Sequence, residues 1–504
     1  RYYVERSTAN GLCIGREFTV MRSGIYSMDH VLGQIRSLPQ ARGLTESSLN
    51  VEAGDVFVAC AQNEDARLQH METAFQAGAV AFVIDAQAQH FDNQSLPTFQ
   101  MDQLARQRGA LAAAFYEDPS REMTCIGVTG TNGKTSIAYH LADLGNLLEV
   151  PTGYSGTLGW GALQDLVDSA MTTASPVLLQ KQLAAMAHRG MKQIALEVSS
   201  HALDQDRVQA VHMDVGVFSN LTRDHLDYHG SMEKYAEAKT KLFTDWPLKL
   251  AVINAEDALG RKLIRCARAE EIVSFGPGGD ISWKAVFAPG GMQVVFATPW
   301  GQLNSTLPIA ADFAVANVAA AIGVLLGCGH ALEPLETALS QLSTVPGRLQ
   351  VAGDHPGMPK VVVDYAHTPD ALDKVLAALS KLAPKQLICI VGCGGNRDQG
   401  KRPEMARVVA RWTDRAWFTS DNPRDEDPEA ILRDMLSGLT TQQQRSVCVE
   451  QNRAGAIAQA IQSAGSEDVI LIAGKGHEST QEIAGTKYPF SDAEVVREFM
   501  KENA

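Results

Sequence analysis

The chain has 504 residues, a length that predicts about three domains rather than one compact core. Its composition is that of an ordinary globular protein, with 45% hydrophobic and 20% charged residues, and 44 Lys and Arg against 58 Asp and Glu give a net charge of −14. An acidic chain is a poor general binder of nucleic acid, because neutralising a phosphate backbone needs clustered Lys and Arg. No nucleic-acid partner is therefore expected.

The cysteines and the apolar stretches argue against further classes of protein. The eight cysteines are scattered, mostly within apolar runs, and lack the spacing of a zinc site, so we expect reduced thiols in a cytoplasmic protein. The most apolar stretch, residues 318–328, is too short to span a membrane and predicts a buried helix. Residues 1–20 carry charges throughout and lack the apolar segment of a secretory signal, and we assign this extension no role.

The first predicted domain covers residues 21–119. Short apolar runs rich in β-formers alternate here with a helical pattern, which indicates a small α/β domain. The turn signal at Asp118, Pro119 and Ser120 marks its end. Strands are predicted at residues 55–61 and 79–84, and helices at residues 70–78 and 101–116.

The second predicted domain covers residues 120–345, where the alternation of strands and helices becomes stronger. Apolar strands that end at polar residues predict a parallel sheet with helices on both faces. Residues 280–310 differ, because their alternating Gly, Val and aromatic residues favour a few antiparallel strands. Strands are predicted at residues 125–128, 193–198, 215–219 and 250–254, and a helix at residues 136–148.

The third predicted domain, residues 346–504, begins at the Pro346 and Gly347 pair. Its strands and helical patterns predict a second, Rossmann-like open α/β domain. Ligands of such sheets bind at the carboxyl ends of the strands, where the unusual residues of this chain occur. Strands are predicted at residues 360–364, 386–392, 415–419, 446–450 and 469–473.

A glycine-rich loop at residues 127–135 follows a predicted strand and precedes a helix. Glycines let consecutive N–H groups face a phosphate, and the helix N-terminus adds partial positive charge. Lys134 can reach the β- and γ-phosphates of a nucleotide, and the Thr135 hydroxyl suits Mg²⁺. Val128 stands where a standard phosphate loop has glycine, so the loop is a variant of that motif.

Two further segments contain residue types that carry chemistry. Glu197 lies at the end of a predicted strand, where a carboxylate can coordinate Mg²⁺. Residues 220–229 contain two His, two Asp and an Arg, a cluster typical of functional sites. By contrast, Lys239 lies in an amphipathic helical pattern, and periodicity by itself predicts an ordinary solvated lysine.

Seven motifs together resemble the Mur ligase family, in the order found in the members that add meso-diaminopimelate. The resemblance covers roughly residues 44–495, and the motifs are TGTNGKT (129–135), EVSSHAL (197–203), SNLTRDHLDYHGSMEKYAEAK (219–239), VDYAHTPDAL (363–372), GGNRDQGKRPEM (394–405), SDNPRDEDP (420–428) and AGKGHE (473–478).

The resemblance implies an ATP-dependent ligase of peptidoglycan precursor synthesis that joins meso-diaminopimelate to UDP-N-acetylmuramoyl-L-Ala-D-Glu through an acyl phosphate. Such an enzyme would be a cytoplasmic monomer without membrane insertion. Two Mg²⁺ ions are implied, together with carbamylation of Lys239 by CO₂, which turns an ammonium into a carboxylate-like metal ligand. The implied catalytic residues are Lys134, Glu197, His225 and Lys239, and the implied metal ligands are Thr135, Glu197, His225 and carbamylated Lys239.

The resemblance also implies three groups of binding residues, with the N-terminal domain taking the uridine end. Those for ATP are Gly130, Thr131, Asn132, Gly133, Lys134, Thr135, Ser136, Asn254, Asp257, Asn317, Arg348, Asp364 and His367. Those for the UDP-muramoyl dipeptide are Ser47, Thr172, Thr173, Ser199, Gln205 and Arg207. Those for diaminopimelate are Arg397, Asp421, Asn422, Pro423, Arg424, Gly474 and Glu478, with Arg424 on the distal carboxylate and Glu478 on the distal ammonium.

Three alternatives remain open at this point. A lysine-adding enzyme or another Mur ligase would share most of the motifs. A folylpolyglutamate synthase shares the loop and the ligation chemistry, although it lacks the uridine domain and the DNPR element at residues 421–424. A phosphate-loop switch that hydrolyses ATP without ligating belongs to another class, and phosphate release that depends on an added amino acid would separate it from a ligase.

Overall fold

The computed structural model describes residues 25–61, 63–88, 96–288, 291–308, 311–355, 357–382 and 384–503. The chain divides into two compact units, Arg1–Arg108 and Gly109–Ala504. The extension at residues 1–20 lies outside the described residues. The domain boundaries expected after residues 119 and 345 stay a prediction.

The first unit contains a parallel sheet of five strands. Its elements are β1 (Ile25–Tyr26), α1 (Met28–Arg36), β2 (Gly43–Thr45), a 3₁₀ turn (Ser48–Asn50), β3 (Asp55–Ala59), α2 (Glu64–Gln76), β4 (Ala81–Asp85), β5 (Thr98–Met101) and α3 (Leu104–Phe115), which continues past Arg108. The strand order is β1-β5-β4-β3-β2, and every pair is parallel. β3 and β4 are apolar and almost wholly buried, as expected for strands with both faces covered.

The second unit begins with a 3₁₀ turn (Pro119–Arg121) and an eight-stranded sheet. The elements of its first part are β6 (Thr124–Thr129), α4 (Lys134–Leu147), β7 (Thr152–Gly156), β8 (Gly159–Ala162), β9 (Asp165–Val167), α5 (Pro176–His188), β10 (Gln193–Glu197), α6 (Ser200–Asp204), β11 (Val215–Phe218), α7 (Leu226–His229), α8 (Met232–Thr244), β12 (Leu248–Asn254), α9 (Ala258–Cys266), β13 (Ala269–Phe275), β14 (Ser282–Ala288), β15 (Gly291–Thr298), β16 (Gly301–Leu307), α10 (Asp312–Gly327) and α11 (Leu332–Leu339).

The order of this sheet brings the chemically distinctive strand ends together. The strands run β13-β12-β11-β6-β10-β7-β8-β9, and all are parallel from β13 to β7. Glu197 at the end of β10 is in register with Val128 of β6, so its carboxylate lies beside the glycine-rich loop. α10 is apolar on nearly all sides because it packs in the core with α4 and the sheet. β14, β15 and β16 form the antiparallel sheet predicted for residues 280–310.

The last part of the second unit contains a six-stranded sheet and a hairpin. Its elements are β17 (Gln350–Gly353), β18 (Lys360–Asp364), α12 (Pro369–Ser380), β19 (Leu387–Val391), α13 (Lys401–Trp412), β20 (Arg415–Phe418), α14 (Pro428–Leu436), α15 (Thr441–Gln444), β21 (Val447–Val449), α16 (Arg453–Gln462), β22 (Val469–Ala473), β23 (Thr480–Ile483), β24 (Thr486–Pro489) and α17 (Asp492–Asn503). The order is β17-β18-β22-β19-β20-β21, in which only β17 is antiparallel, and β23 pairs with β24.

The predicted α/β class, with parallel sheets and a few antiparallel strands, is confirmed. The helix predicted at residues 101–116 begins three residues late, because residues 98–101 form β5 at its start. The short strands β7 to β9 and the hairpin β23–β24 were not predicted, since segments of three to five residues have little periodicity. Within the described residues, no helix is long and apolar enough to cross a membrane.

Candidate active site

The loop between β6 and α4 depends on glycine at two positions. Gly130 and Gly133 have φ of 148° and 89°. A Cβ on Gly130 would lie 1.8 Å from Ser219 Oγ, and one on Gly133 would lie 2.6 Å from Asn317 Oδ1. The loop is held to the end of β11 because Thr131 N donates to Asn220 O and Asn132 N donates to Asn220 Oδ1. It therefore presents the N-terminus of α4, with its unpaired N–H groups and positive dipole end, as a ready anion site.

Lys134 lies folded over this loop. Its Nζ donates to the carbonyl oxygens of Gly130 and Thr131, both at 2.9 Å. Burial lowers the pKa of Lys134, although the nearby carboxylate of Glu197 opposes that shift. A half-buried cation whose hydrogen bonds go to neutral carbonyls is well suited to pair with a phosphate.

Glu197 is fully buried, and its carboxylate accepts four hydrogen bonds from described residues. They come from Tyr154 OH at 2.5 Å, Thr157 N at 2.9 Å, Thr157 Oγ1 at 3.2 Å and Thr135 Oγ1 at 3.0 Å. Burial and the adjacent carboxylate raise the pKa of the Tyr154 hydroxyl well above its usual value, so this group remains a donor. Arg348 Nη2 lies 3.0 Å from Thr135 Oγ1 and donates to it, which links the linker before β17 to the loop.

The oxygens of Thr135 and Glu197 fit a magnesium ion. Mg²⁺ prefers hard oxygen ligands and is commonly held by one or two protein groups plus phosphates and water. Across the described parts of the chain, no three His, Cys, Asp or Glu side chains are grouped to hold a metal. A metal here would therefore rely on Thr135, Glu197 and its substrate rather than on a closed protein cage.

Lys239 is buried, contrary to the solvated position that periodicity predicts, so that prediction was wrong. Its exposed fraction is 1%, because its face of α8 packs against the end of β6. Nζ donates to Gly130 O at 2.8 Å and lies 4.5 Å from the ring centroid of Tyr235. Burial, and then the charge of Lys134, lower the pKa of Lys239 well below its usual value. The neutral amine is thus favoured far more than in a surface lysine.

His225 and Asp224 lie where the two parts of the second unit meet. His225 has φ of 54°, and its ring packs edge-on against His201 at 4.8 Å between centroids. Burial lowers the pKa of His225 to about 3, so the imidazole is neutral. Asp224 Oδ2 lies 3.4 Å from His225 Nε2 and 3.7 Å from His367 Nε2, and Oδ1 lies 3.8 Å from Lys401 Nζ.

The Asp224 carboxylate is a group that the residue-by-residue predictions omitted. Although burial opposes its ionisation, the hydrogen bond to His367 and the electrostatic influence of His225, Lys401 and His367 hold its pKa well below the usual range. Its only sequence signal was membership of the His- and Asp-rich segment 220–229. Lys401 is likewise buried, and both residues join motifs that are far apart in the chain.

A cavity of about 1220 Å³ lies between the eight-stranded and six-stranded sheets. Most of the residues predicted to bind ATP line it, and these are Thr131, Asn132, Gly133, Lys134, Thr135, Ser136, Asn254, Asn317, Arg348, Asp364 and His367. Phe275, Trp283 and Phe313 add aromatic surface. A cavity of this size, with apolar walls and a few polar groups, is typical of a nucleotide-sized ligand.

Both carboxylate oxygens of Asp257, by contrast, accept hydrogen bonds from backbone N–H groups of the protein. It is the N-cap of α9, where Oδ1 accepts from Leu259 N at 2.7 Å and Gly260 N at 3.2 Å. Its other oxygen accepts from Leu221 N at 2.8 Å. Asp257 is not among the residues that line the cavity, so its predicted adenine contact has no geometric support.

The linker into the six-stranded sheet is ordered by Asp364. This buried carboxylate accepts from the backbone N–H groups of Leu349 and Ala366, each at 2.7 Å. Burial raises the pKa of Asp364, while nearby Arg348 and the two N–H groups oppose that shift. The Arg348 guanidinium lies 4.3 Å above the Tyr365 ring, which holds it toward Thr135. Leu349 has φ of 44°, so the chain turns sharply here.

Five of the residues predicted to bind the muramoyl dipeptide form one network, and these are Thr172, Thr173, Ser199, Gln205 and Arg207. Thr173 Oγ1 donates to Glu197 O at 2.7 Å and accepts from Ser199 N at 3.1 Å. Arg207 donates to Thr173 O at 3.0 Å and to Gln205 Oε1 through Nε at 2.9 Å. The network is therefore fixed directly to the strand that carries Glu197.

Thr172 and Ser47 complete this predicted group. The Thr172 and Thr157 hydroxyl oxygens lie 3.2 Å apart, within hydrogen-bond distance and next to the Glu197 carboxylate. Ser47 lies in the first unit, where it is half-buried and precedes the 3₁₀ turn Ser48–Asn50. Its predicted uridine contact stays a prediction.

A second cluster lies at the carboxyl ends of β20 and β22. Asn422 Nδ2 donates to Glu478 Oε2 at 2.9 Å, and a Cβ on Gly474 would lie 2.5 Å from Asp421 Oδ2. Glu426 N donates to Pro423 O at 3.0 Å, which closes the turn after the strand. These side chains belong to the group predicted to bind diaminopimelate.

The arginines of this cluster flank Gly394. A Cβ there would lie 3.0 Å from Arg424 Nη1 and 3.8 Å from Arg397 Cγ. Arg424 has φ of 51°, donates from Nη1 to Gly395 O at 2.8 Å, and holds Nε 3.4 Å from Glu482 Oε2. The cluster thus combines two guanidinium groups with nearby carboxylates. Glu482 had no signal in the sequence, since it lies in the unpredicted hairpin.

Comparison with known proteins agrees with this geometry. Residues 128–325 match the Mur ligase middle domain, and residues 347–476 match the Mur ligase, glutamate ligase domain. A UDP-N-acetylmuramoyl-L-alanyl-D-glutamate–2,6-diaminopimelate ligase from Coxiella burnetii is 41% identical over 466 residues, which is 90% of this chain and 95% of that protein. The protein of the same name from Pseudomonas aeruginosa is 43% identical over 459 residues, covering 90% of this chain and 93% of its own length.

Solved structures give the same relationship. A structure of a UDP-N-acetylmuramoyl-L-alanyl-D-glutamate–2,6-diaminopimelate ligase aligns with a TM-score of 0.62 at 33% identity, covering 92% of this chain and 95% of that one. A folylpolyglutamate synthase from Mycobacterium tuberculosis shares the fold, with a TM-score of 0.61 at 18% identity, but covers only 73% of this chain. The chain therefore belongs to the Mur ligase family, whose members are ATP-dependent ligases that form amide bonds.

Proposed function

We propose that this chain joins meso-diaminopimelate to UDP-N-acetylmuramoyl-L-Ala-D-Glu and converts ATP to ADP and phosphate. One observation carries the choice of amino acid: Asn422, which bonds Glu478, and Arg424 share the turn after β20, and Arg397 and Arg424 both approach Gly394. Diaminopimelate carries a carboxylate and an ammonium at its distal end, so this pocket offers each a partner of opposite charge. The names of relatives that are 41–43% identical support the same choice.

ATP is needed because a carboxylate does not couple to an amine unaided. The γ-carboxylate of D-Glu attacks the γ-phosphorus of ATP, a new P–O bond forms, and the bond to the leaving ADP oxygen breaks. Both reacting groups are anionic, so Lys134 at the phosphate loop would neutralise charge as they approach. The diaminopimelate amine then attacks the acyl carbon, phosphate departs, and the amine loses a proton.

Magnesium is the metal that fits the residues around the loop. Thr135 and Glu197 would hold it, and His225 offers a neutral imidazole at the adjacent turn. When bound, Mg²⁺ supplies positive charge that draws electron density from the phosphate oxygens. Tyr154 and Thr157 hold the Glu197 carboxylate in a fixed orientation by donating hydrogen bonds to it.

Carbamylation of Lys239 is part of this proposal. The neutral amine attacks CO₂, a nitrogen–carbon bond forms and one proton is released, which leaves an anionic carbamate. A lysine whose pKa is lowered by burial is populated as that neutral amine, whereas a solvated lysine is not. The product would be stabilised by a metal at the loop, because Lys239 Nζ lies 2.8 Å from Gly130 O.

The acyl substrate would lie along the network that runs from Thr173 to Arg207. Thr173 donates a hydrogen bond to the backbone of Glu197, so a substrate bound to this network would place its carboxylate near the phosphate loop. From the linker before the six-stranded sheet, Arg348 donates to Thr135 of the phosphate loop. Asp364 accepts from Leu349 N and so fixes the linker that carries Arg348. Such contacts between the two parts of the unit would align the ligands and exclude water. We place this reaction in the cytoplasm and propose that the enzyme acts as a monomer on these three small molecules.

The decisive experiment measures phosphate release by the purified protein with ATP, Mg²⁺ and a panel of substrates. We expect release only when both UDP-N-acetylmuramoyl-L-Ala-D-Glu and meso-diaminopimelate are present, with one ADP formed for each amide. Release without an amino acid would favour a switch, and equal use of L-lysine would favour a lysine-adding enzyme. Activity with a folate and glutamate in place of the UDP-peptide would overturn the proposal.

A further inference from the structure

A buried lysine that the proposed mechanism does not use lies inside the amino-acid pocket. Lys475 is 0% exposed and follows β22 directly after Gly474. Gly474 and Gly476 have φ of 113° and 55°, and a Cβ on Gly476 would lie 2.8 Å from Gly347 O. A tight turn with glycine on both sides therefore carries Lys475 in a fixed place.

All three hydrogen-bond donors of the Lys475 ammonium are used within the protein. Nζ donates to Asn422 Oδ1 at 3.1 Å, to Glu478 Oε2 at 2.7 Å and to Thr480 O at 2.8 Å. An ammonium has three N–H groups, and burying one is tolerated only when it is paired and bonded. Lys475 thus holds groups of the pocket rather than contacting a ligand itself.

These bonds determine which atoms of the pocket face a ligand. Asn422 Oδ1 accepts from Lys475 and from Glu482 N at 2.9 Å, so its Nδ2 must turn toward Glu478 Oε2. Among the described residues, both hydrogen bonds to the Glu478 carboxylate reach Oε2, and Oε1 accepts none. Oε2 of Glu478 is thereby hydrogen-bonded within the protein, and Oε1 can accept from a bound cation.

We infer that Lys475 is a positioning residue that sets selectivity for the distal ammonium of the amino acid. By holding Oε2 it aims Oε1 of Glu478 at that ammonium, and through Thr480 O it ties the hairpin bearing Glu482 to the same turn. Arg424, ion-paired with Glu482, then receives the distal carboxylate beside it. This inference rests on the proposed function and adds the residue on which recognition of the ammonium depends.

The test compares meso-diaminopimelate with 2-aminopimelate, the analogue that lacks the distal amino group. Lys475→Met should raise KM for diaminopimelate about 10- to 100-fold, because the misplaced Glu478 would lose its one charged hydrogen bond to the distal ammonium. KM for 2-aminopimelate should change far less, so the preference between the two should fall. KM for ATP, and kcat at saturating amino acid, should stay within about threefold, because only binding of the amino acid is affected. Lys487→Met, at an exposed lysine of the same hairpin, is the matched control and should keep the preference.

A double-mutant cycle then separates positioning from general support of the fold. If Lys475 acts through Glu478, then Lys475→Met added to Glu478→Gln should cost no further preference. Effects that multiply, or an unchanged preference in Lys475→Met, would overturn the inference. Should Lys475→Met fail to fold, Lys475→Gln, which keeps two N–H donors, takes its place in the same comparison. A folded Glu478→Gln enzyme that retains the preference for diaminopimelate also overturns the inference. A wild-type protein with no amino-acid-dependent phosphate release would instead refute the proposed function.

Discussion

Replacing Arg424 by alanine should remove most of the preference for diaminopimelate over lysine. These amino acids differ by one distal carboxylate, which Arg424 is proposed to bind. Within the described residues, Arg424 bonds Gly395 O at 2.8 Å and holds Nε 3.4 Å from Glu482 Oε2. Those contacts engage two of the five N–H donors of a guanidinium, so a two-pronged contact to a carboxylate remains geometrically available.

The size of the effect follows from the exposure of this pair. The side chains of Arg424 and Glu482 are 22% and 32% exposed, so the loss should be smaller than for a fully buried charge pair. We expect about 2–4 kcal/mol, which is roughly a 30- to 1000-fold drop in kcat/KM. Glu482, left without its partner, would add repulsion toward the substrate carboxylate. The φ of 51° should not contribute, since arginine and alanine both carry a Cβ.

The assay is kcat/KM for meso-diaminopimelate and L-lysine at saturating ATP and UDP-peptide. Arg424→Lys keeps the charge but loses the planar fork, so its loss should be intermediate. Arg433→Ala is the matched control, because that side chain is 65% exposed and, among the described residues, pairs with Asp427 at the N-cap of α14 and with Glu429 in its first turn. An Arg424→Ala enzyme with unchanged preference, or one equally impaired in KM for ATP, would refute the assigned role.

Three further predictions concern the loop, the buried lysine of α8 and the stability of the last sheet. Lys134→Ala should abolish phosphate release yet remain folded, since the bonds of Lys134 within the described structure go to two carbonyls of its own loop. A folded variant with near-normal turnover would contradict the loop assignment. Lys239→Ala should be nearly inactive and regain part of its rate with formate or acetate, whereas wild type that is fully active in CO₂-depleted buffer would argue against the carbamate. Arg453→Ala should lower the free energy of unfolding by about 3–5 kcal/mol in urea titrations, because it leaves the fully buried Asp492 unpaired. Arg497→Ala, at an exposed site on α17, is the control for stability, and a loss below about 1 kcal/mol for Arg453→Ala would show that the pair is not stabilising.

Much of the architecture could be predicted from the amino-acid sequence because it depends on local patterns. Short runs with an apolar centre, such as QIALE at residues 193–197, are typical of strands covered on both faces, and the structure buries all of β10. The phosphate loop was equally accessible, since Gly130 and Gly133 adopt backbone angles that favour glycine and Lys134 begins the helix. Short hairpins, and the burial of individual residues such as Lys239, were not predicted because they leave little periodic signal in the sequence.

The pairing of motifs distant in the chain could be decided only by the tertiary structure. Asp224 meets His367 and Lys401 across more than a hundred residues, and no spacing in the sequence states that contact. Periodicity likewise failed at Lys239, because it assigns a charged residue to the solvent face and cannot foresee a helix whose lysine is turned toward a phosphate loop. Lys475 is the same case in the amino-acid pocket: its three partners are brought together by the ends of β20 and β22 and by the following hairpin. Local propensity sets which segments become strands and helices, whereas the partners of a buried charge follow from how the sheets and loops pack.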